Sequence, residues 1–313
     1  MNPHPEPVET ASDPVAKTGP TASPVMVAPD WLVFAPASFV ILWSTGFIGM
    51  RLGTPYAEPF TFMAVRMAIV VVILLAAAAI FRAPWPKSRE EVFHAAVAGI
   101  LVHATYLSGV LYAISLKLPL AFTALIAGMQ PILTGIVASV ILGERLRPIH
   151  WLGMLLGLVG VIMAISQTFA RGEVSAPALL CATLALLGIT AGTVYQKRFC
   201  SGMDLRTGGV IQFSATGLVL LISAWAFESR TIQWTPQFVL ALGWLALVLS
   251  IGAISLLYVM IRHGATARVA SLFFLTPSVT AIMAYVLFGE AVSGWAIGGL
   301  AVSAFGVALV TKK

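Results

Sequence analysis

LYAISLKLPLAFTALIAGMQPILTGIVASVILGE, residues 111–144, returns as LYVMIRHGATARVASLFFLTPSVTAIMAYVLFGE, residues 257–290. The shift is 146 residues. It lays Leu111-Tyr112 on Leu257-Tyr258, Ala121 on Ala267, Pro131 on Pro277 and Gly143-Glu144 on Gly289-Glu290. The same register continues to Gly153/Gly299 and Gly160-Val161/Gly306-Val307, and reaches back to Gly46/Gly192 and Arg51/Lys197. One offset held across both halves predicts a unit written twice.

Each copy is built from apolar stretches close to the ~20 residues a helix needs to cross the hydrocarbon layer of a membrane. They run over about 32–52, 60–81, 92–115, 118–142, 149–168, 176–197, 207–227, 236–260, 265–288 and 292–311. The breaks between them pair turn formers with charge, as in Pro84-Trp-Pro-Lys87, Lys117-Leu-Pro119 and Arg171-Gly-Glu173. A membrane barrel would instead alternate in ten-residue segments. The expected fold is therefore an all-α integral membrane protein of ten transmembrane helices. Five spans per copy is an odd number, so the second copy enters the membrane from the opposite side. The prediction is two inverted five-helix repeats, residues 31–167 and 168–313, about a central cavity, preceded by a disordered cytoplasmic tail at 1–30. That tail holds seven prolines, four acids and one lysine. It lacks the pattern of a secretory signal.

Composition agrees. The 313 residues are 59% hydrophobic and 10% charged, with a mean hydropathy of +0.96, against roughly 25% charged in soluble domains. A soluble enzyme is excluded. The net charge of +6 reads as membrane orientation rather than nucleic-acid binding. Thirteen Lys and Arg fall in the amino tail, the even-numbered loops and the carboxyl end, whereas Arg51, Lys117, Arg171 and Arg230 fall on the other side. Both termini are thereby placed in the cytoplasm. Cys181 and Cys200 form neither a disulfide framework nor a metal site. The chain has no Gly-x-x-x-x-Gly-Lys-Ser/Thr and no His-Glu-x-x-His, so no cofactor, metal or direct use of ATP is expected.

Inverted repeats are the geometry of alternating access around a midplane site. A static bundle, a channel and a membrane-embedded enzyme remain the competing readings, the enzyme disfavoured because no acid lies inside a span to orient a catalytic base. Along the chain, Trp43-Ser-Thr-Gly-Phe47, Pro59 with Arg66, Tyr112, Pro131, Gly143-Glu-Arg145, Gly153 and Gly160 occur in order. The second copy repeats Tyr258, Pro277 and Gly289-Glu290, but has Thr190 to Thr193 in place of the Trp-Ser-Thr motif and Gln212 in place of Arg66. In this order and duplication the sequence resembles the drug/metabolite transporter superfamily, in its ten-helix EamA-type branch, over residues 32 to 311. Within that branch it looks most like YddG-type exporters of aromatic and other hydrophobic amino acids. The resemblance implies a basket-shaped bundle whose cavity is lined mostly by spans 1, 3, 4, 6, 8 and 9.

Arg66 is the one charge well inside a span. It either snorkels to the outer interface or faces inward as the partner of a substrate carboxylate. The spans hold no acid for an organic cation or a coupled proton, which favours a neutral or zwitterionic substrate and facilitative transport. His103 is the one midplane proton candidate, or else a hydrogen-bonded packing residue. His103 and Tyr106 share a helical face, as do Trp43 and Phe47, and each pair either lines the cavity or packs helices. Ser44, Gln130, Thr190 and Thr276 add hydrogen-bonding groups to the candidate substrate site. Pro131 and Pro277 each remove a backbone donor in mid-span, giving a gating point or a static kink. The expected function is a monomeric inner-membrane exporter of hydrophobic or aromatic amino acids and related metabolites. Another substrate class, such as a drug or nucleoside, by proton-coupled or facilitative export, is the alternative.

Overall fold

In an apolar surrounding a backbone must satisfy its own hydrogen bonds, and a sequence of long apolar runs does so as helices. The computed structural model describes residues 34–142, 148–170, 172, 174–254, 256, 260, 272–273 and 275–311. Expectations for the amino tail, Gly143-Glu144, Tyr258, Arg262, Arg268 and the last two lysines lie outside the described residues. The helices are α1 (Ala35–Gly53), α2 (Pro59–Ile80), α3 (Arg89–Ser115), α4 (Leu120–Ala127), α5 (Gln130–Leu142), α6 (Pro148–Ala170), α7 (Ala176–Phe199), α8 (Leu205–Phe227), α9 (Pro236–Ala253), α10 (Thr276–Phe288) and α11 (Gly294–Thr311). No strand occurs among the described residues, where a lone bridge joins Ala57 to Ile232.

Seven helical stretches are long and apolar enough to cross a membrane: α1, α2, α3, Leu120–Val137, α7, α8 and α9. Trp151–Ala164, α10 and Gly294–Gly306 are shorter apolar helices. Starts follow local chemistry. Pro59 opens α2 at a position whose N–H would be idle anyway. Ser175, Asp204 and Thr235 cap α7, α8 and α9 through side-chain oxygens that accept from Ala178, Arg206 and Phe238 amides. Arg206 beside Asp204 holds that carboxyl below its ordinary range.

The fourth expected span is broken. Pro131 lacks an N–H, the chain tightens at Gly128-Met129, and α4 and α5 form in place of one helix. Two other irregularities widen rather than break their helices. Ile100–Thr105 in α3 and Trp244–Ala253 in α9 are π-helical, and residues 100 and 105 shifted by 146 fall inside the second segment.

α2 lies along α8, α6 along α11, α3 along α7, and α1 along both α9 and α10. A core of Phe47, Phe62, Met63, Met67, Leu111, Phe213 and Leu245 fills the space between α1, α2, α3, α8 and α9. Between α6 and α11 the backbones nearly touch. A Cβ on Gly160 would strike Gly299 and Ser303, and one on Gly306 would strike Gly153 and Gly157, the close approach that small residues permit in membranes. Gly294 and Gly298, by contrast, have open space beside them.

The bundle has two chemically distinct ends. At one, the Glu228 carboxylate accepts hydrogen bonds from Phe60 N, Thr61 N and Thr61 Oγ1, each 2.7 Å, and from Tyr112 OH at 2.8 Å. At the same end Glu290 accepts from Leu120 N at 2.9 Å and lies 3.9 Å from Arg51 Nε. Glu290 follows Gly289, whose left-handed φ of 67° ends α10. At the other end Thr207 Oγ1 donates to Pro84 O at 2.7 Å, and His94 Nδ1 meets Tyr195 OH at 2.6 Å.

Candidate functional site

Apolar residues cannot mask a guanidinium, so the position of Arg66 decides where polar chemistry collects. Its side chain turns into the bundle and is 3% exposed. Snorkelling to the interface is thereby excluded. Nη2 donates to Ser250 Oγ at 3.0 Å, and Nη1 approaches the Met63 sulfur at 3.9 Å. Nε is buried without a partner. None of these neighbours is a carboxylate. The guanidinium thus keeps donor capacity that the described residues leave unused.

Ser250 stands in the wide segment of α9, where its hydroxyl donates to Leu245 O at 3.0 Å. The wide segment of α3 carries His103, whose ring stacks on Phe213 at 4.2 Å between centroids and 19° between planes. Gln212 of α8 lies beside it. Gly99 allows this approach, because a Cβ there would sit in the backbone of Gln212. Tyr106, one turn on from His103, is close enough to Arg66 to interact electrostatically with it. Arg66, His103 and Tyr106 therefore belong to one neighbourhood, completed by Ser250, Gln212 and Phe213.

A second group lies where α1 meets α10 and α7 meets α5. Ser44, fully buried, directs its hydroxyl at Thr276 O, 3.4 Å away. Gln130 Nε2 donates to Thr193 Oγ1 at 3.2 Å. The hydroxyls of Thr190, Thr276 and Thr280 are buried without partners among the described residues. Such groups are costly in an apolar interior, and a polar ligand or water would offset that cost. Pro277 packs against Gly128, so the proline start of α10 meets the break between α4 and α5.

The aromatic candidates divide. Phe47 is 5% exposed and packs in the core with Phe62 and Leu245. Trp43 makes edge contact with Phe273 at 4.9 Å and lies beside Phe39. Its neighbour Thr45 accepts from Trp244 Nε1 at 2.8 Å, linking α1 to α9.

Three residues of the Arg66 neighbourhood escape the sequence reading as site members. Gln212 was visible as the counterpart of Arg66 under the repeat shift. Phe213 is its neighbour in sequence and gave no separate signal. Ser250 looks like one more small residue in an apolar run, and nothing in its surroundings announces a π turn.

The profile of the EamA-like transporter family matches residues 31–166 and again 176–312. The chain belongs to that family. It is 26% identical to the uncharacterized transporter YvbV of Bacillus subtilis, over 88% of this chain and 90% of that protein. It is 28% identical to the uncharacterized inner membrane transporter YedA of Escherichia coli K12, covering 87% of each. It is 22% identical to a probable amino-acid metabolite efflux pump of Salmonella typhimurium, over 83% and 88%. A solved crystal structure with 22% sequence identity superposes with a TM-score of 0.62 over 90% of this chain and 98% of that one, a likeness of fold. The protein is a multi-pass membrane transporter.

Proposed function

We propose that this EamA-like transporter exports amino acids and related small carboxylates, aromatic and hydrophobic amino acids foremost, across a bacterial inner membrane by alternating access. The observation that carries the reading is the buried Arg66, held on one side by Ser250 and left with an unpartnered Nε. An intramembrane charge without an opposite charge marks a place for one that arrives with the substrate. Aromatic rings at Tyr106 and Phe213 in the same neighbourhood suit an apolar side chain nearby. The amino-acid efflux pumps among its relatives favour the same class.

In this reading the chain crosses the membrane ten times as two inverted copies, with both termini in the cytoplasm. Exchanging each helix for the one 146 residues away maps the contact of α1 with α9 onto that of α7 with α3. It maps α2 with α9 onto α8 with α3 likewise. The glycine contacts of α6 and α11 exchange in the same way. Ser44 and Thr190, Gln130 and Thr276, Thr134 and Thr280, and Arg66 and Gln212 form equivalent pairs. These correspondences support a site on the pseudo-two-fold axis, with Pro131 and Pro277 as points that bend. His103, engaged by Gln212 and Phe213, serves packing, and transport runs down the substrate gradient without a coupled proton. The working unit is one chain.

Proteoliposomes preloaded with unlabelled phenylalanine should accumulate labelled phenylalanine from outside, with no imposed pH gradient. If no member of a panel of amino acids is retained above protein-free vesicles, the substrate class is wrong. A strict need for a pH gradient would replace the facilitative mechanism.

A further inference from the structure

In an ordinary α-helix a serine hydroxyl that bonds back reaches the carbonyl three or four residues earlier. Ser250 reaches the fifth, Leu245 O, because the turn of α9 is wide there. Thr105 does the same to Ile100 O at 3.2 Å in the wide segment of α3. The two differ in what the hydroxyl oxygen receives. That of Ser250 accepts from Arg66 Nη2 at 3.0 Å, which makes a chain from the guanidinium through the hydroxyl to the helix backbone.

We infer that Ser250 is the positioning residue of the Arg66 site: anchored on Leu245 by the wide turn of α9, it fixes the guanidinium so that Nε–H is presented to a substrate carboxylate. The inference rests on the reading of Arg66 as the carboxylate partner and adds to it the group that sets its aim. The other contact of the guanidinium, the Met63 sulfur at 3.9 Å, is a weak acceptor and fixes no orientation. A planar fork gives its full bidentate bond only when its plane is set before the ligand arrives. π turns concentrate at functional sites, and here the irregular turn supplies a hydroxyl direction that a regular helix lacks. The role is one of selectivity. It favours a ligand with a carboxylate over the same ligand with a neutral amide, because an amide has a single acceptor oxygen and turns an NH2 donor toward the second N–H of the fork.

The test uses the full-length protein in proteoliposomes. Labelled phenylalanine counterflow is competed by unlabelled phenylalanine and by phenylalaninamide, and the ratio of their half-inhibition concentrations is read. The wild type should prefer the carboxylate, and Ser250→Ala should narrow the ratio about tenfold, since the guanidinium must then be ordered by the ligand itself. Ser250→Thr, which keeps the hydroxyl, should restore the ratio. A packing role alone would change protein yield or maximal flux and leave the ratio untouched. An unchanged ratio in Ser250→Ala, with the ratio lost in Arg66→Gln, overturns the inference and leaves the Arg66 reading standing. An unchanged ratio in both variants, or a wild type that takes neither compound or both equally, overturns the two together.

Discussion

Arg66→Gln should lower phenylalanine counterflow about a hundredfold while the protein folds as well as before. The guanidinium is 3% exposed and its nearest partners, Ser250 and Met63, are neutral. A hydrogen bond to a charged group contributes about 1.5–3 kcal/mol, and about 2.8 kcal/mol corresponds to a hundredfold in affinity. Holding an unpaired guanidinium in an apolar bundle costs the folded state free energy, so its neutral replacement should leave the thermal midpoint in detergent unchanged or raised. Glutamine already occupies the equivalent place at Gln212, which is buried, so the amide fits such a position. Function lost with stability kept would separate this residue from an ordinary packing group. Loss of both together, or full transport, would remove it from the site.

Glu228→Ala should be the most destabilising single change, by about 3 kcal/mol. The carboxylate is 8% exposed and receives Phe60 N, Thr61 N, Thr61 Oγ1 and Tyr112 OH within 2.8 Å. It therefore closes the start of α2 from the far end of α8 and ties both to α3, with the positive end of a helix dipole adding to the attraction. Removing it leaves several buried donors without an acceptor, each a cost of about 1–3 kcal/mol before relaxation and water entry. Glu228→Gln keeps one acceptor oxygen and should lose about half as much. Thermal unfolding in detergent measures both. A midpoint for Glu228→Ala within one degree of wild type would refute the cap.

The sequence made the membrane architecture readable because its signal is local: apolar length and the prolines at 59, 131 and 277 each act on their own helix. The break that Pro131 imposes between α4 and α5 follows from a missing donor, wherever the rest of the chain lies. Glu228 shows the opposite case. It stands at the end of α8, 167 residues along the chain from Thr61, and no local pattern says which helix a carboxylate will cap. The site divides in the same manner. Arg66 stood out as a charge in an apolar run, and the repeat shift pointed from it to Gln212. Ser250 did not stand out, since its role depends on a wide turn that periodicity does not encode. The shared helical face of Trp43 and Phe47 was legible from their spacing. Which neighbours meet that face was not, and Phe47 packs in the core.

Everything proposed for transport requires that equivalent points of the two halves lie on opposite sides of the membrane. Pro55, after α1, and Ser201, after α7, are such points, 146 residues apart and both exposed. Single cysteines placed at 55 and 201, in a chain with Cys181 and Cys200 replaced by alanine, can be challenged in intact cells with a membrane-impermeant maleimide. Position 55 should react from outside and position 201 only after the membrane is opened. Reaction of both from the same side would contradict the inverted arrangement, and alternating access between the two halves with it.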